Sequence, residues 1–482
     1  MSSFRSKTIR GFKWSFLNKI LFQFINFILT IVLARLLSPE DFGLFAMITV
    51  FSNFGMLFKD FGFGHALIYN KDVSNIEFNS VFVLNLAIGI ILTSVFYFSA
   101  PFIASFYEES RLENLTKVFS IIFFIQAFGL VNITELKKKV DFKSLAIIEN
   151  SAHLLASIIA IMMAYYGFGV WSLIANTVLY ITLRTIIILF VSDYRPKFAY
   201  DINVIKDLWR YSYNVSGNSF LTYWMRNLDN LMIGKMIGQQ PLGIYNMAYK
   251  IMLLPMKNIS SVVKDVLFPS FSSIGNDIDK IRTVYLKVVQ TVALFTFPLL
   301  AGLACLSDLF VNIVLGDKWL EMIPILSLLS LVAIPQSIFT INGTLYLNTG
   351  RPDIPFKINM VSLPIYVFGF YFGLKYYGIL GLVYAYISIY ALLVIPIYYF
   401  CAKQINLQVI EFIRKLVPVA TSVILMSIIV LFFKEFLIEI KLKEINIFIL
   451  SILSGIVSYL IAVLFFKKRI DLYQLFYPLI DK

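Results

Sequence analysis

Arg226 and Asp229 stand three residues apart in a long stretch able to cross a membrane, a spacing that lets them pair on one helix face. A guanidinium in such a place suits a phosphate or diphosphate, because its planar fork meets two oxygens at once. The carboxylate beside it can hold its orientation or take a proton. Around the two lie Asn214, Ser216, Asn218, Ser219, Thr222, Tyr223, Asn227 and Asn230, which makes the segment too polar to face lipid. Further on, Lys250, Lys257 and Lys264 recur at intervals of seven and share a helix face, with Asp265 beside the last. They form an electropositive track for an anionic headgroup. Near the N-terminus, Lys19 sits in a stripe of Asn18, Lys19, Gln23, Asn26 and Thr30 whose helical spacing suits an aqueous cavity. Lys19, Arg226, Asp229, Lys250 and Lys257 are therefore the candidate substrate-binding residues, since charge inside a membrane span is costly and faces a cavity or a partner. Blander readings stay open: Lys19 snorkelling to the interface, Arg226 and Asp229 satisfying each other between helices, and the lysine helix extending into the cytoplasm. Lys59, Asp60 and Arg184 read as interfacial.

Other chemistry is excluded by pattern. The chain has no G-x-x-x-x-G-K-[ST] phosphate cradle, no H-E-x-x-H and no G-x-S-x-G, so neither ATP hydrolysis by that route nor those hydrolytic centres are expected. Two histidines, His65 and His153, and two unpaired cysteines, Cys305 and Cys401, offer no metal site. No catalytic residue, metal or cofactor is expected, and energy for transport must come from an ion gradient, a partner or the substrate's own gradient. The net charge of +13 forms no patch for nucleic acid, because the cations sit between the apolar runs.

Those runs set the architecture. Of 482 residues, 59% are hydrophobic and 14% charged, and the mean hydropathy of +0.81 describes a polytopic membrane protein whose spans of about 20 residues must be helices. Fourteen are expected: Lys13–Leu37, Phe42–Phe61, Val81–Phe106, Leu115–Glu135, Ser144–Tyr166, Gly169–Ser192, Tyr211–Ile237, Leu242–Pro269, Val284–Leu306, Ile323–Leu347, Phe356–Tyr376, Ile379–Cys401, Leu416–Phe433 and Ile445–Phe466. Cations in the short loops collect on one side, among them Lys137, Lys138, Lys139, Arg195, Lys206, Arg414 and Lys467. The first sizeable loop opposite carries Glu108, Glu109 and Glu113, so both termini are expected in the cytoplasm. The basic, apolar N-terminus lacks a small-residue cleavage site and reads as a retained first span.

A repeat divides the chain. Shifted by 200 positions, Leu33–Met47 meets Ile233–Met247, with Gly43 over Gly243, Met47 over Met247 and Arg35 over Lys235. Tyr165-Tyr166-Gly167 likewise meets Tyr376-Tyr377-Gly378 at 211. Six spans separate the copies, so parallel repeats are expected: an N-terminal lobe over 1–197, a C-terminal lobe over 198–403, and two additional helices over 404–482. The fold class is all-α, with about fourteen transmembrane helices.

Ala34-Arg35-Leu36-Leu37-Ser38-Pro39-Glu40-Asp41-Phe42-Gly43-Leu44, followed by Asp60-Phe61-Gly62-Phe63-Gly64, resembles the N-terminal signature of polysaccharide-transporter flippases of the Wzx/WzxC type. Arg226-Asn227-Leu228-Asp229-Asn230, Ile233-Gly234-Lys235, Leu242-Gly243-Ile244-Tyr245 and Leu267-Phe268-Pro269-Ser270-Phe271-Ser272 are similar to their second-half signature. The resemblance implies the superfamily of multidrug antiporters and lipid II flippases, with two six-helix lobes around a V-shaped cavity that alternates its opening. It implies no enzyme but a flippase in the bacterial inner membrane. The substrate would be an undecaprenyl-diphosphate-linked oligosaccharide, an O-antigen, capsule or exopolysaccharide unit, with membrane lipids, a polysaccharide polymerase and a chain-length regulator as partners. The motifs at Gly43 and Gly243 are expected to serve the fold. A cation-coupled drug or metabolite antiporter with Asp229 as its ion site is the alternative, and a membrane polymerase or ligase, lacking a long outer loop, the remote one.

Overall fold

The computed structural model describes residues 2–59, 62–69, 73–274, 277–351, 353–467 and 470, with side chains for all of these except 2–13, 65, 207–219, 258 and 260–274. Asp60, Phe61, Lys71 and Arg469 thus lie outside the described residues. So do the side chains of Asn214, Ser216, Asn218, Ser219, Lys264, Asp265 and the Leu267–Ser272 motif. Among the described residues every regular element is a helix, and the chain divides into two compact units, Met1–Gly243 and Ile244–Lys482.

The first unit contains α1 (Ser2–Leu36), α2 (Pro39–Met56), α3 (Phe63–Tyr69), α4 (Asn75–Tyr107), α5 (Arg111–Ala127), α6 (Leu130–Lys138), α7 (Phe142–Tyr165), α8 (Trp171–Val191), α9 (Ile202–Ile237) and the first turn of α10 (Gln239–Ile274). Local chemistry sets the corner between α1 and α2. Ser38 caps α2 by accepting the Asp41 backbone N–H at 3.3 Å, while the Asp41 carboxylate accepts the Ser38 N–H at 2.9 Å. Pro39 opens the helix, where its missing donor costs nothing. Leu29, Leu33 and Leu37 of the preceding turns bury against Ala164 and Leu173, so α1 lies along α7, which lies along α8; α4 lies along α5, and α2 against α9.

The second unit continues α10 and adds α11 (Ile278–Cys305), α12 (Ser307–Phe310), a π turn at Val311–Leu315, a 3-10 turn at Asp317–Met322, α13 (Ile323–Phe339), α14 (Asn342–Asn348), α15 (Asp353–Gln404), α16 (Val409–Glu439) and α17 (Glu444–Phe465). α17 buries a face of small residues, Ser451, Gly455, Ser458 and Ala462, and packs along α16. A Cβ on Gly455 would stand 3.0 Å from Val430. Small residues of this kind let membrane helices approach where lipid provides no hydrophobic drive. The opposite face, including Leu460, Ile461, Leu464 and Phe465, stays exposed, as a surface solvated by lipid requires.

Among the described residues each of the fourteen expected spans falls largely on helix, although α2 stops at Met56 rather than Phe61. Nine helices among the described residues are long and apolar enough to cross a membrane, or ten when α5 and α6, bent 42° at Phe128–Gly129, count as one. The expected spans at Phe356–Tyr376 and Ile379–Cys401 are the two halves of α15, broken at Gly378 with φ 60° and ψ −146°. Its counterpart in the repeat, Gly167, has φ 83° between α7 and α8. The recurring Tyr-Tyr-Gly is thus a helix break at a backbone conformation that glycine alone adopts cheaply.

The 200-residue repeat has a direct structural counterpart inside the first unit. A Cβ on Gly43 would stand 1.7 Å from the carbonyl oxygen of Gln239, and a Cβ on Gly243 would stand 1.8 Å from that of Pro39. Residue 43 faces 239 and residue 243 faces 39, so the two corners meet reciprocally, backbone to backbone. Ion pairs surround the contact. Arg111 donates to Glu40 and, at 2.8 Å, to Glu109, Lys235 pairs with Glu108 at 2.7 Å, and Gln239 donates to Glu40 at 3.3 Å. The Arg111 hydrogen bonds hold Glu40 and Glu109 below the ordinary carboxylate value of 4.5, and the Lys235 bond does the same for Glu108. A carboxyl depressed in the fold stabilises it above the unfolded value and loses that contribution as pH falls through the folded one. Thermal stability is therefore expected to be level from about pH 8 to about pH 5 and to fall below that. Because exposed pairs contribute little, the drop is small, and Arg111→Ala should remove most of it in melting curves taken across pH.

One ion pair in the second unit is more deeply set. Lys434 of α16 is 8% exposed, and its Nζ lies 2.7 Å from Asp308 of α12. Removing only the carboxylate strands a buried ammonium, so Asp308→Ala is expected to cost about 2 kcal/mol, whereas Lys434→Met should cost less than half of that. Thermal shifts of the two purified variants decide the order.

Candidate functional site

The helix that bears Arg226 and Asp229 is pinned through its aromatic and amide residues. The Tyr223 hydroxyl donates to the Val50 carbonyl of α2, Phe54 of α2 meets the rings of Tyr223 and Trp224 at 5.7 and 5.0 Å, and Asn227 donates to the Tyr223 carbonyl at 2.8 Å. This orientation turns Leu228, Asp229 and Asn230 inward, each buried. The Asp229 carboxylate accepts the backbone N–H of Asn230 at 2.8 Å. Arg226, by contrast, is exposed, and among the described residues it has no ion pair or hydrogen bond. Three residues subtend about 300° of helix, enough to leave one side chain inside the packed face and the other beyond its edge. The pairing that the spacing allows is not made.

Lys19 is exposed on α1, but its neighbour Asn18 turns toward α7. The Asn18 amide donates to a Glu149 carboxylate oxygen at 2.8 Å and accepts from the Asn150 amide. A turn further, His153 is 5% exposed, stacked on Phe22 at 4.4 Å with Tyr180 edge-on at 5.4 Å. The Arg184 guanidinium lies 5.5 Å from the Tyr180 ring. Thr30 is buried, its hydroxyl donating to its own helix at Asn26. The polar stripe on α1 is therefore divided: Asn18 and Thr30 serve packing, and Lys19 stays accessible. Sequence reasoning missed Glu149 and Asn150, although a carboxylate inside the expected span Ser144–Tyr166 was the signal that could have found them. Arg184, read as interfacial, belongs to the same cluster of helices.

In the second unit Lys250 and Lys257 are exposed on α10, two turns or about 10 Å apart along one face. Cys305 and Cys401 are free thiols, and the buried Cys401 donates to the Tyr285 hydroxyl at 3.2 Å. The structure thus presents Lys19, Arg226, Lys250 and Lys257 as accessible cations and Asp229 as a buried carboxylate.

The polysaccharide biosynthesis protein family matches residues 32–324, a stretch running from the end of α1 into α13. The chain belongs to this family. Family relatives share the greater part of its length. The lipopolysaccharide biosynthesis protein WzxC of Escherichia coli K12 is 26% identical over 84% of this chain and 82% of its own. The teichuronic acid biosynthesis protein TuaB of Bacillus subtilis is 28% identical over 76% of each. Among solved structures, the lipid II flippase MurJ in its inward closed conformation superposes with a TM-score of 0.76 at 16% identity, covering 95% of this chain and 99% of that one. The fold is therefore shared with that flippase, and this member of the family is a multi-pass, all-α membrane protein.

Proposed function

We propose that the chain moves an undecaprenyl-diphosphate-linked oligosaccharide from the cytoplasmic to the outer leaflet of the bacterial inner membrane. It acts as a transporter and not as an enzyme. Family membership carries this reading. Two relatives are named for different polymers, lipopolysaccharide and teichuronic acid, so what they can share is the lipid-linked precursor and not a particular sugar. The accessible cations Lys19, Arg226, Lys250 and Lys257 supply what a diphosphate needs, with Arg226 the fork that meets two oxygens. Asp229 sets the local backbone from its buried position. The prenyl tail stays in lipid while the headgroup crosses.

In this reading the fourteen spans form two six-helix lobes, 1–197 and 198–403, with two further helices over 404–482. The lobes alternate their opening. Both termini are cytoplasmic, and the ion-paired corners at Glu40, Glu108, Arg111 and Lys235 face outward. A polysaccharide polymerase and a chain-length regulator act on the delivered unit.

Reconstitution with a fluorescent prenyl-diphosphate oligosaccharide tests the reading. The headgroup should become accessible to a membrane-impermeant reagent on the far side of protein-containing vesicles and not of empty ones. Movement of small cationic drugs with no effect on the glycolipid would replace it with the antiporter alternative.

A further inference from the structure

Residues 192–201 join α8 to α9 without helical structure, and one side of this strap is fastened along α4 and α6. Asn132 of α6 donates to the Ser192 hydroxyl and to the Tyr194 carbonyl, each at 2.9 Å, and Ser192 in turn donates to Glu135 at 2.8 Å. On α4, the Asn79 side-chain oxygen accepts from the Tyr194 hydroxyl at 2.6 Å and from the Lys197 N–H at 3.1 Å, and the Ser80 hydroxyl accepts the Asp201 N–H at 2.9 Å. Asn79, Ser80, Asn132, Ser192 and Tyr194 are all buried. The strap is thus a fixed part of the first unit up to Ile202, where α9 begins.

Its outer side is of another kind. Arg195 and Lys197 are exposed, Phe198 is 84% exposed although its ring meets Phe82 at 6.0 Å, and Tyr200, Ile202 and Lys206 follow, all exposed. The end of α8 sets the level of this surface. Phe190, 80% exposed in the last turn of an apolar span, belongs in hydrocarbon, so the chain that follows it emerges among the headgroups, where aromatic rings and cations are at home. Arg195 is held more firmly than a surface charge. Its Nη1 donates to the carbonyls of Leu189 at 2.9 Å, of Ser192, and of Tyr194 at 3.4 Å, which caps α8 and fixes the guanidinium plane. Nε and Nη2 have no partner among the described residues, and they are a parallel pair of donors of the kind that two phosphate oxygens meet. Lys197 and Lys206 likewise have no ion pair among the described residues. The carboxylates of the strap are engaged elsewhere: Asp193 meets Lys139 at 2.7 Å, and Asp201 accepts the Asn203 N–H at 2.9 Å.

We propose that Arg195, Lys197 and Phe198 form a binding site for the headgroup of an anionic phospholipid. The phosphodiester lies on the free edge of the Arg195 fork, Lys197 balances its charge, and Phe198 rests against the glycerol and the first acyl carbons. A zwitterionic lipid brings an ammonium group of its own, which Lys197 opposes, so the site selects for net charge and not for phosphate alone. The site does not depend on what the chain transports. Because the strap ties α4 and α6 to the first residue of α9, a lipid seated on it steadies the root of the helix that carries Arg226.

Native mass spectrometry of the full chain in detergent, with phosphatidylglycerol and phosphatidylcholine at equal concentration, reads the preference. The wild type should retain phosphatidylglycerol about tenfold better, and Lys197→Gln should lower that ratio about fivefold, the effect of one cation at a membrane surface. Arg195→Lys keeps the charge and loses the fork, and it should lower the ratio as well. Lys467→Gln removes an exposed cation beyond α17 and should leave the ratio unchanged. In nanodiscs, backbone amide exchange over residues 194–200 should slow about fivefold when phosphatidylglycerol is added to phosphatidylcholine, in the wild type and not in Lys197→Gln. Absence of a wild-type preference, an equal fall in Lys467→Gln, or unchanged exchange of the strap overturns the proposal. Displacement of phosphatidylglycerol by an equimolar short-chain prenyl diphosphate would give the fork to that lipid and overturn it too.

Discussion

Gly43→Ala is expected to cost more than about 3 kcal/mol and to prevent accumulation of folded protein. The methyl group would have to occupy a point 1.7 Å from the Gln239 carbonyl oxygen, and that obstacle is backbone, not the end of a side chain able to swing away. Relief requires separating the corner of α1 and α2 from the corner of α9 and α10, with the Glu40, Arg111 and Gln239 contacts going too. Gly243→Ala meets the Pro39 carbonyl oxygen at 1.8 Å and should behave the same way. Gly302 is the internal control: it lies within α11 with no atom within 4 Å of its would-be Cβ. Gly302→Ala should be neutral or gain up to about 1 kcal/mol from helix propensity. Expression level and melting temperature in detergent measure all three. A Gly43→Ala protein that melts with the wild type would mean that the corners do not meet as described.

Arg226→Ala is expected to lower polysaccharide export by about 10- to 100-fold, the loss of one charge-assisted contact to phosphate, while the protein still reaches the membrane. The separation of these effects follows from its surroundings. Arg226 is exposed and, among the described residues, unpaired, so the fold does not lean on it. Arg226→Lys should recover part of the export, since a point charge replaces the fork. Asp229→Ala makes the contrast: three residues away but buried, with its carboxylate on the Asn230 N–H, it should lower melting temperature as well as export. Export in a strain lacking the native gene, read beside membrane abundance, distinguishes them. Normal export by Arg226→Ala would take that residue out of the headgroup's path.

Where the physics is local, the sequence was legible. Apolar runs long enough for a bilayer became helices, and Ser38, Pro39 and Asp41 marked the start of α2 as a capping box should. Even the repeat, with two identities in fifteen aligned residues at the corners, pointed to glycines that the structure places in contact. What stayed hidden depends on neighbours. The helix carrying Arg226 and Asp229 is polar on so many faces that periodicity cannot say which side packs, and it took Phe54 and Val50 of α2 to turn Asp229 in and Arg226 out. Glu149 escaped attention because a lone carboxylate in an apolar span looks isolated until Asn18, 131 positions away in sequence, is laid beside it. The break at Gly378 was visible as a boundary, but not its continuity: the φ of 60° lets one helix follow another almost without a loop.

The reciprocal contact at Gly43 and Gly243 has the form of an interface between two identical subunits, in which residue i of one meets residue j of the other and j meets i. Here both partners sit in one polypeptide, as they would if a gene for a half-length homodimer had been duplicated and fused. A fused dimer is released from strict symmetry everywhere except where its copies still touch, so Asp229 and Glu149 could arise on one side only. The 39–43 and 239–243 segments had no such freedom. Any change of backbone path in one must be matched by the other, and descendants of the ancestral pair should vary there in step or not at all.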